Sequence, residues 1–150
     1  MQVPAVETVL VAVDGSEESL EAVEFAVAIA TRYGGDLAVL YVLEGSDYRA
    51  VTAGEIDPEA ISAESQSFLE DVDQLADEAG VTTRSAVAYG FSTHRKLSHP
   101  GSVVLDATDE LDADFIVIPR EAIGLIPPDG TLAKAAEYAL LYASQPVLAV

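Results

Sequence analysis

Apolar residues fall along this chain in short unbroken runs, separated by longer stretches in which they recur every three or four positions. VLVAV (Val9 to Val13) and DLAVLYVL (Asp36 to Leu43) carry the dense, β-branched pattern of strands buried on both faces. TTRSAVAY (Thr82 to Tyr89) alternates only in part and is expected at a sheet edge, DFIVIP (Asp114 to Pro119) is a fourth strand, and PVLAV ends the chain at Val150. From Ser16 to Tyr33 the spacing predicts a helix, with Leu20, Val23, Val27 and Ala30 inward and Glu17, Glu21, Glu24 and Thr31 outward. Ser16 suits its N-cap, Glu17 and Glu18 its first turn, and Gly34-Gly35 its end. Further helices are expected over about Pro58 to Ala79, with Ile61, Phe68, Val72, Leu75 and Ala79 on one side, over Ser102 to Leu111, and over Gly130 to Ala143.

Strands alternating with helices require crossover connections, which lay strands parallel and cover both faces of the sheet. With no internal repeat and no obvious linker, the 150 residues form one doubly wound α/β domain, residues 1–150, around a five-stranded parallel sheet. The longest connection, Gly45 to Pro58, is polar.

Composition narrows the function more than the fold. There are 26 acidic residues against 7 Lys plus Arg, a net charge of −19, which argues against nucleic acid or an anionic membrane as partner. The acids are spread along the chain, as on a solvated surface suited to a high-salt, halophilic cytoplasm; the alternative is that they recruit cations or a basic partner. Cys is absent, so disulfides, thiolate metal sites and cysteine nucleophiles are excluded. The opening MQVPAVETVL lacks the basic region and cleavage site of a signal peptide, and no apolar run is long enough to span a bilayer. The expected location is the cytoplasm.

In an open parallel sheet, ligands bind beyond the carboxyl ends of the strands, where strand order reverses. Asp14 in VAVDGS leaves the first strand there, able to accept hydrogen bonds from a ligand or, more plainly, to organise the turn before the helix. IVIPREAIGLIPPDGTLAKA has the strand, loop and helix layout of an anion loop, and Gly130-Thr131 offers a free N–H and a hydroxyl at a helix start. Pro119, Pro127 and Pro128 remove donors from the same loop, and Asp129 adds negative charge. FSTHRKLSHPGS holds both histidines together with Arg95 and Lys96, but His94 and His99 with no companion carboxylate in the segment make a poor metal site. Neither a catalytic set nor a Walker loop emerges, so no catalytic residue, metal or resident cofactor is expected. Tyr138 and Tyr142, four apart, suit a packed helix face better than a cofactor platform.

VLVAVDGSEESLEAVEFAVAIA, DLAVLYVLE, LDATDELDADFIVIP and GTLAKAAEYALLYASQPVLAV together resemble the universal stress protein (UspA-like) family, collinearly over almost the whole chain. The resemblance implies a Rossmann-like, adenine nucleotide alpha hydrolase-like sheet in the order 3-2-1-4-5, usually dimeric. It implies an ATP loop of the form G-x-x-G followed further on by G-S/T, with an aspartate at the end of the first strand and a residue at the end of the second on the adenosine. Those positions correspond to Asp14, Val42 and Gly130-Thr131. The first two loop glycines fall on Pro119 and Ala122, and the interval from Ala122 to Gly130 holds seven residues, fewer than the family pattern. The implied protein is a regulatory or binding module of the stress response with a degenerate loop, which does not bind ATP in the usual way. The alternative is a member that holds ATP or AMP, with Mg, through Asp14, Val42 and Gly130-Thr131 with little or no hydrolysis. A metal- or phosphate-dependent hydrolase ranks third. Arg95, Lys96 or Arg120 could supply positive charge near the altered cradle, the first two from about 10 Å away. The last strand, Pro146 to Val150, is apolar and uncharged, so it invites a homodimer by strand pairing. A further protein partner is expected but not specified.

Overall fold

The computed structural model describes residues 2–43, 52–55, 57–89, 100–120 and 131–150. Its strands are β1 (Thr8–Val13), β2 (Asp36–Leu43), β3 (Thr83–Tyr89), β4 (Phe115–Ile118) and β5 (Val147–Ala149). Between them lie helices α1 (Glu17–Tyr33), α2 (Pro58–Glu78), α3 (Pro100–Glu110) and α4 (Thr131–Tyr142). The strands form one sheet in the order β3-β2-β1-β4-β5, and every neighbouring pair is parallel. This is the doubly wound α/β fold expected from the alternation of elements.

Successive side chains on a strand point to opposite faces, and the two cores divide accordingly. Val9, Val11 and Val13 of β1, with Leu37, Val39 and Tyr41 of β2, pack beneath α1 and α2. Leu10, Ala12, Leu40, Val42, Ile116 and Ile118 face α3 and α4. All of β1 is buried, which explains why its sequence does not alternate. The connections leave β1 on one face toward β2 and β3, and use the other face toward β4 and β5. The strand order therefore reverses between β1 and β4, and their carboxyl ends flank the switch point.

Local chemistry sets the helix ends. Ser16 caps α1 by accepting the Ser19 N–H at 3.1 Å, and Gly34 closes the helix in the left-handed conformation, φ 68°. Asp57 caps α2 by accepting the Glu59 N–H at 3.0 Å, with Pro58 in the first turn. At the opposite end of the sheet the Asp114 carboxylate accepts the N–H groups of Glu7 at 2.9 Å and Thr8 at 3.0 Å. It thereby ties the start of β1 to the start of β4.

Two helix faces differ from the sequence expectation. Leu20 is exposed, because the stripe that meets the sheet is Ser19, Ala22, Val23, Ala26, Val27 and Ala30. Three of those six are alanines, so α1 lies close on the sheet and larger residues flank the contact instead of filling it. Ser19 is fully buried without cost to its hydroxyl, which donates to the Ser16 carbonyl at 2.9 Å. In α2 the buried positions are Ser65, Val72 and Ala76, while Ala79 forms the exposed C-cap. Ile61, Phe68 and Leu75 are half-buried.

Candidate nucleotide site

The carboxyl ends of β4, β1 and β2 bring three of the expected residues to one level. Val13 pairs with Tyr41 and Val11 with Val117. The paired residues stop there, and continuing both registers past them would bring Asp14 level with Val42 on one side and Arg120 on the other. Neighbouring strands lie about 4.8 Å apart, so Val42 and Arg120 flank Asp14 across a span of roughly 10 Å.

Asp14 organises the turn that leaves β1. Its Oδ1 accepts the Ser16 backbone N–H at 3.0 Å and a short hydrogen bond from the Ser16 hydroxyl. Ser16 Oγ thus donates to Asp14 while accepting from Ser19, so one hydroxyl joins the turn to the helix cap. Among the described residues, Asp14 Oδ2 has no protein partner, and the side chain is half-buried at the mouth of the switch point. A fixed carboxylate with one free oxygen can accept a hydrogen bond from a hydroxyl or an amine.

Tyr41, which the sequence reading passed over, sets the height of this turn. Its hydroxyl donates to the Asp14 carbonyl at 3.2 Å, and its ring meets Phe68 of α2 edge-on at 6.0 Å between centroids. The available signal was one aromatic residue in an otherwise aliphatic strand, directly before Val42.

Val42 stands near the end of β2. Its side chain is 1% exposed and packs in the core facing α3 and α4, so only its backbone can meet a ligand. Arg120 sits just past β4, with Pro119 before it buried. The Arg120 N–H donates to the Val150 carbonyl and the Val150 N–H donates to Ile118 at 3.0 Å, so the end of the chain anchors this corner. The Arg120 side chain is exposed.

Helix α4 is described from Thr131 onward, and Gly130 before it lies outside the described residues. Ala122, Arg95, Lys96, His94 and His99 also lie outside them, as do residues 44–51 and 56 of the polar connection. Tyr138 and Tyr142 pair with each other, rings tilted by 48° with centroids 4.7 Å apart, and Tyr142 is exposed, so they form a surface pair instead of a buried face. Among the described residues, no group of three or more His, Asp or Glu side chains could hold a metal ion, and no helix is long and apolar enough to cross a membrane.

A doubly wound parallel sheet with a switch point between β1 and β4 defines the class of open α/β folds, in which ligands sit beyond the carboxyl ends of the strands. The chain belongs to the universal stress protein family, whose sequence model matches residues 5–150. Universal stress protein MJ0531 of Methanocaldococcus jannaschii is 27% identical over 113 residues, covering 73% of this chain and 62% of that protein. The match thus spans less than two thirds of that relative's length. A universal stress protein solved in complex with cAMP is similar in structure, with a TM-score of 0.69, 22% identity and 98% of each chain covered. The universal stress protein from Archaeoglobus fulgidus in complex with dAMP gives a TM-score of 0.63 and 21% identity over 95% of this chain and 96% of that one. At such identities the likeness shows the fold.

Proposed function

We propose that this protein is a binding module that holds an adenine mononucleotide at the β1/β4 switch point without turning it over. The observation that carries the reading is that Asp14, Val42 and Arg120 stand at the carboxyl ends of β1, β2 and β4, around the point where strand order reverses. Asp14 Oδ2 accepts from the adenosine portion, the Val42 backbone lies alongside it, and Arg120 with the start of α4 supplies positive potential for a phosphate. Two structurally similar family members were solved with cyclic or deoxy adenosine monophosphates, which supports this reading over a module with no nucleotide. Pro119 and Ala122 replace the glycines of a triphosphate cradle, which favours one phosphate over three and leaves Mg-ATP the weaker ligand.

Isothermal titration with AMP, cAMP and Mg-ATP tests this. The expected result is saturable heat with a monophosphate, lost in Asp14→Ala. Silence with all three in the folded protein would overturn the proposal.

The same reading pairs two copies through the edge from Pro146 to Val150. β5 has β4 on one side and no second neighbour among the described residues. Leu140, Leu141 and Tyr142, 57%, 70% and 65% exposed, end the helix that leads into it. An open edge beside exposed apolar side chains is a surface that a two-fold partner can close.

A further inference from the structure

At the opposite edge of the sheet, β3 leaves a second surface open. It pairs with β2 along Leu37 to Leu43 and has no neighbour on its other side among the described residues. Its sequence, TRSAVAY, contains one charged residue and neither proline nor glycine, so it lacks the usual devices that keep an edge from pairing. Val87 is 54% exposed on the α1/α2 side, as its pairing with Tyr41 shows. On the other side Ala86 and Ala88, paired with Leu40 and Val42, floor a groove of about 260 Å³ against α3. Asp106 and Glu110 of α3 line its wall, both exposed, and neither meets a cation among the described residues. Leu111 also lines the groove, and its carbonyl accepts from the Arg84 guanidinium at 2.8 Å.

We propose that β3 and this groove bind an extended peptide segment of a partner protein in which basic and apolar residues alternate. Three observations converge on that pattern. The backbone edge of β3 can accept an added strand. Alternate residues of such a strand are about 6.7 Å apart on one face, and Asp106 and Glu110, one helical turn apart, are separated by about 6 Å along α3. Two basic side chains at alternate positions therefore meet the two carboxylates, while their methylene stems cover the small Ala86 and Ala88. The intervening apolar residues lie on the opposite face beside Val87. This site is two strands away from Asp14, so its occupancy does not require nucleotide.

The test uses two synthetic peptides of one composition, one alternating arginine with valine and one with the arginines in a block. Binding is followed by fluorescence anisotropy and amide chemical shifts, in the lowest KCl at which the protein stays folded. The expected result is binding of the alternating peptide, with shifts confined to β3 and the facing side of α3, and about tenfold weaker binding of the block peptide. Asp106→Asn with Glu110→Gln weakens the alternating peptide about fivefold, the scale of two surface ion pairs. Ala86→Arg, at an exposed position, abolishes binding and leaves thermal unfolding unchanged. Equal binding of both peptides would reduce the effect to net charge and overturn the proposal. A changed mass of Ala86→Arg in light scattering would assign the edge to a second copy and also overturn it. So would binding that appears only after residues 91–99 are replaced by a glycine-serine linker, since the groove would then belong to this chain's own segment.

Discussion

The Tyr41 hydroxyl donates a hydrogen bond of 3.2 Å to the Asp14 carbonyl, joining the second strand to the turn that leaves the first. Tyr41 is 6% exposed and its ring is held by Phe68, so the donor is fixed before any ligand arrives. Tyr41→Phe keeps the ring and removes the hydroxyl that donates to Asp14. We expect a stability loss of about 1 kcal/mol in denaturant unfolding. Monophosphate affinity should fall with it, because the Asp14 turn is then free to shift.

Gly15 makes the same contact visible from the other side. Its φ is +85°, and a Cβ there would stand 2.7 Å from the Tyr41 hydroxyl oxygen. Gly15→Ala is therefore expected to destabilise by about 2 kcal/mol, from the left-handed backbone and the clash together. Adding Tyr41→Phe removes the clash but not the backbone strain. The double variant should thus lose less than the sum of the two single losses, as measured by a double-mutant cycle.

Ser16 carries two bonds on one hydroxyl, and Ser16→Ala breaks both. The α1 cap loses its acceptor for Ser19, a change worth about 1 kcal/mol. Asp14 loses its side-chain donor and keeps only the backbone N–H of Ser16. Thermal unfolding should fall, and the carboxylate, less firmly held, should bind nucleotide more weakly. Unchanged affinity would mean that the backbone bond alone orients Asp14.

Asp114 lies at the far end of the sheet from the proposed nucleotide site. Asp114→Ala leaves the Glu7 and Thr8 N–H groups without their carboxylate, and Thr8 is buried. A loss of about 2 kcal/mol is expected in urea unfolding. Nucleotide affinity, measured where the variant remains folded, should not change.

For the proposed dimer, light scattering of the unaltered chain should give twice the monomer mass. Leu141→Glu adds a charge beside the β5 edge at a side chain 70% exposed, so monomer stability should hold while the dimer weakens about tenfold or more. A monomer at micromolar concentration before any substitution would end the pairing proposal.

Much of the fold was legible from periodicity. The unbroken apolar runs of β1 and β2, the three-to-four spacing of the helices, Ser16 as cap and Gly34 as stop are local properties, and the structure repeats them within a residue or two. The candidate site was legible only as positions. Asp14 could be placed at a strand end, but its two hydrogen bonds from Ser16, both to one carboxylate oxygen, could not. Val42 was placed correctly in the chain, yet its side chain proved to belong to the core. Leu20 looked inward by spacing, while the alanine-rich stripe beside it took the contact.

Hydrophobic period, turn chemistry and capping act between neighbours, so the residues alone determined the nine elements named above among the described residues, their order and the parallel, doubly wound arrangement. Tertiary structure decided what depends on register between distant segments. Asp14 and Tyr41 are 27 residues apart, and Thr8 and Asp114 are 106 apart. Only the packing of whole strands sets which of them meet, which side chains the sheet covers, and which two strands stand at its edges among the described residues.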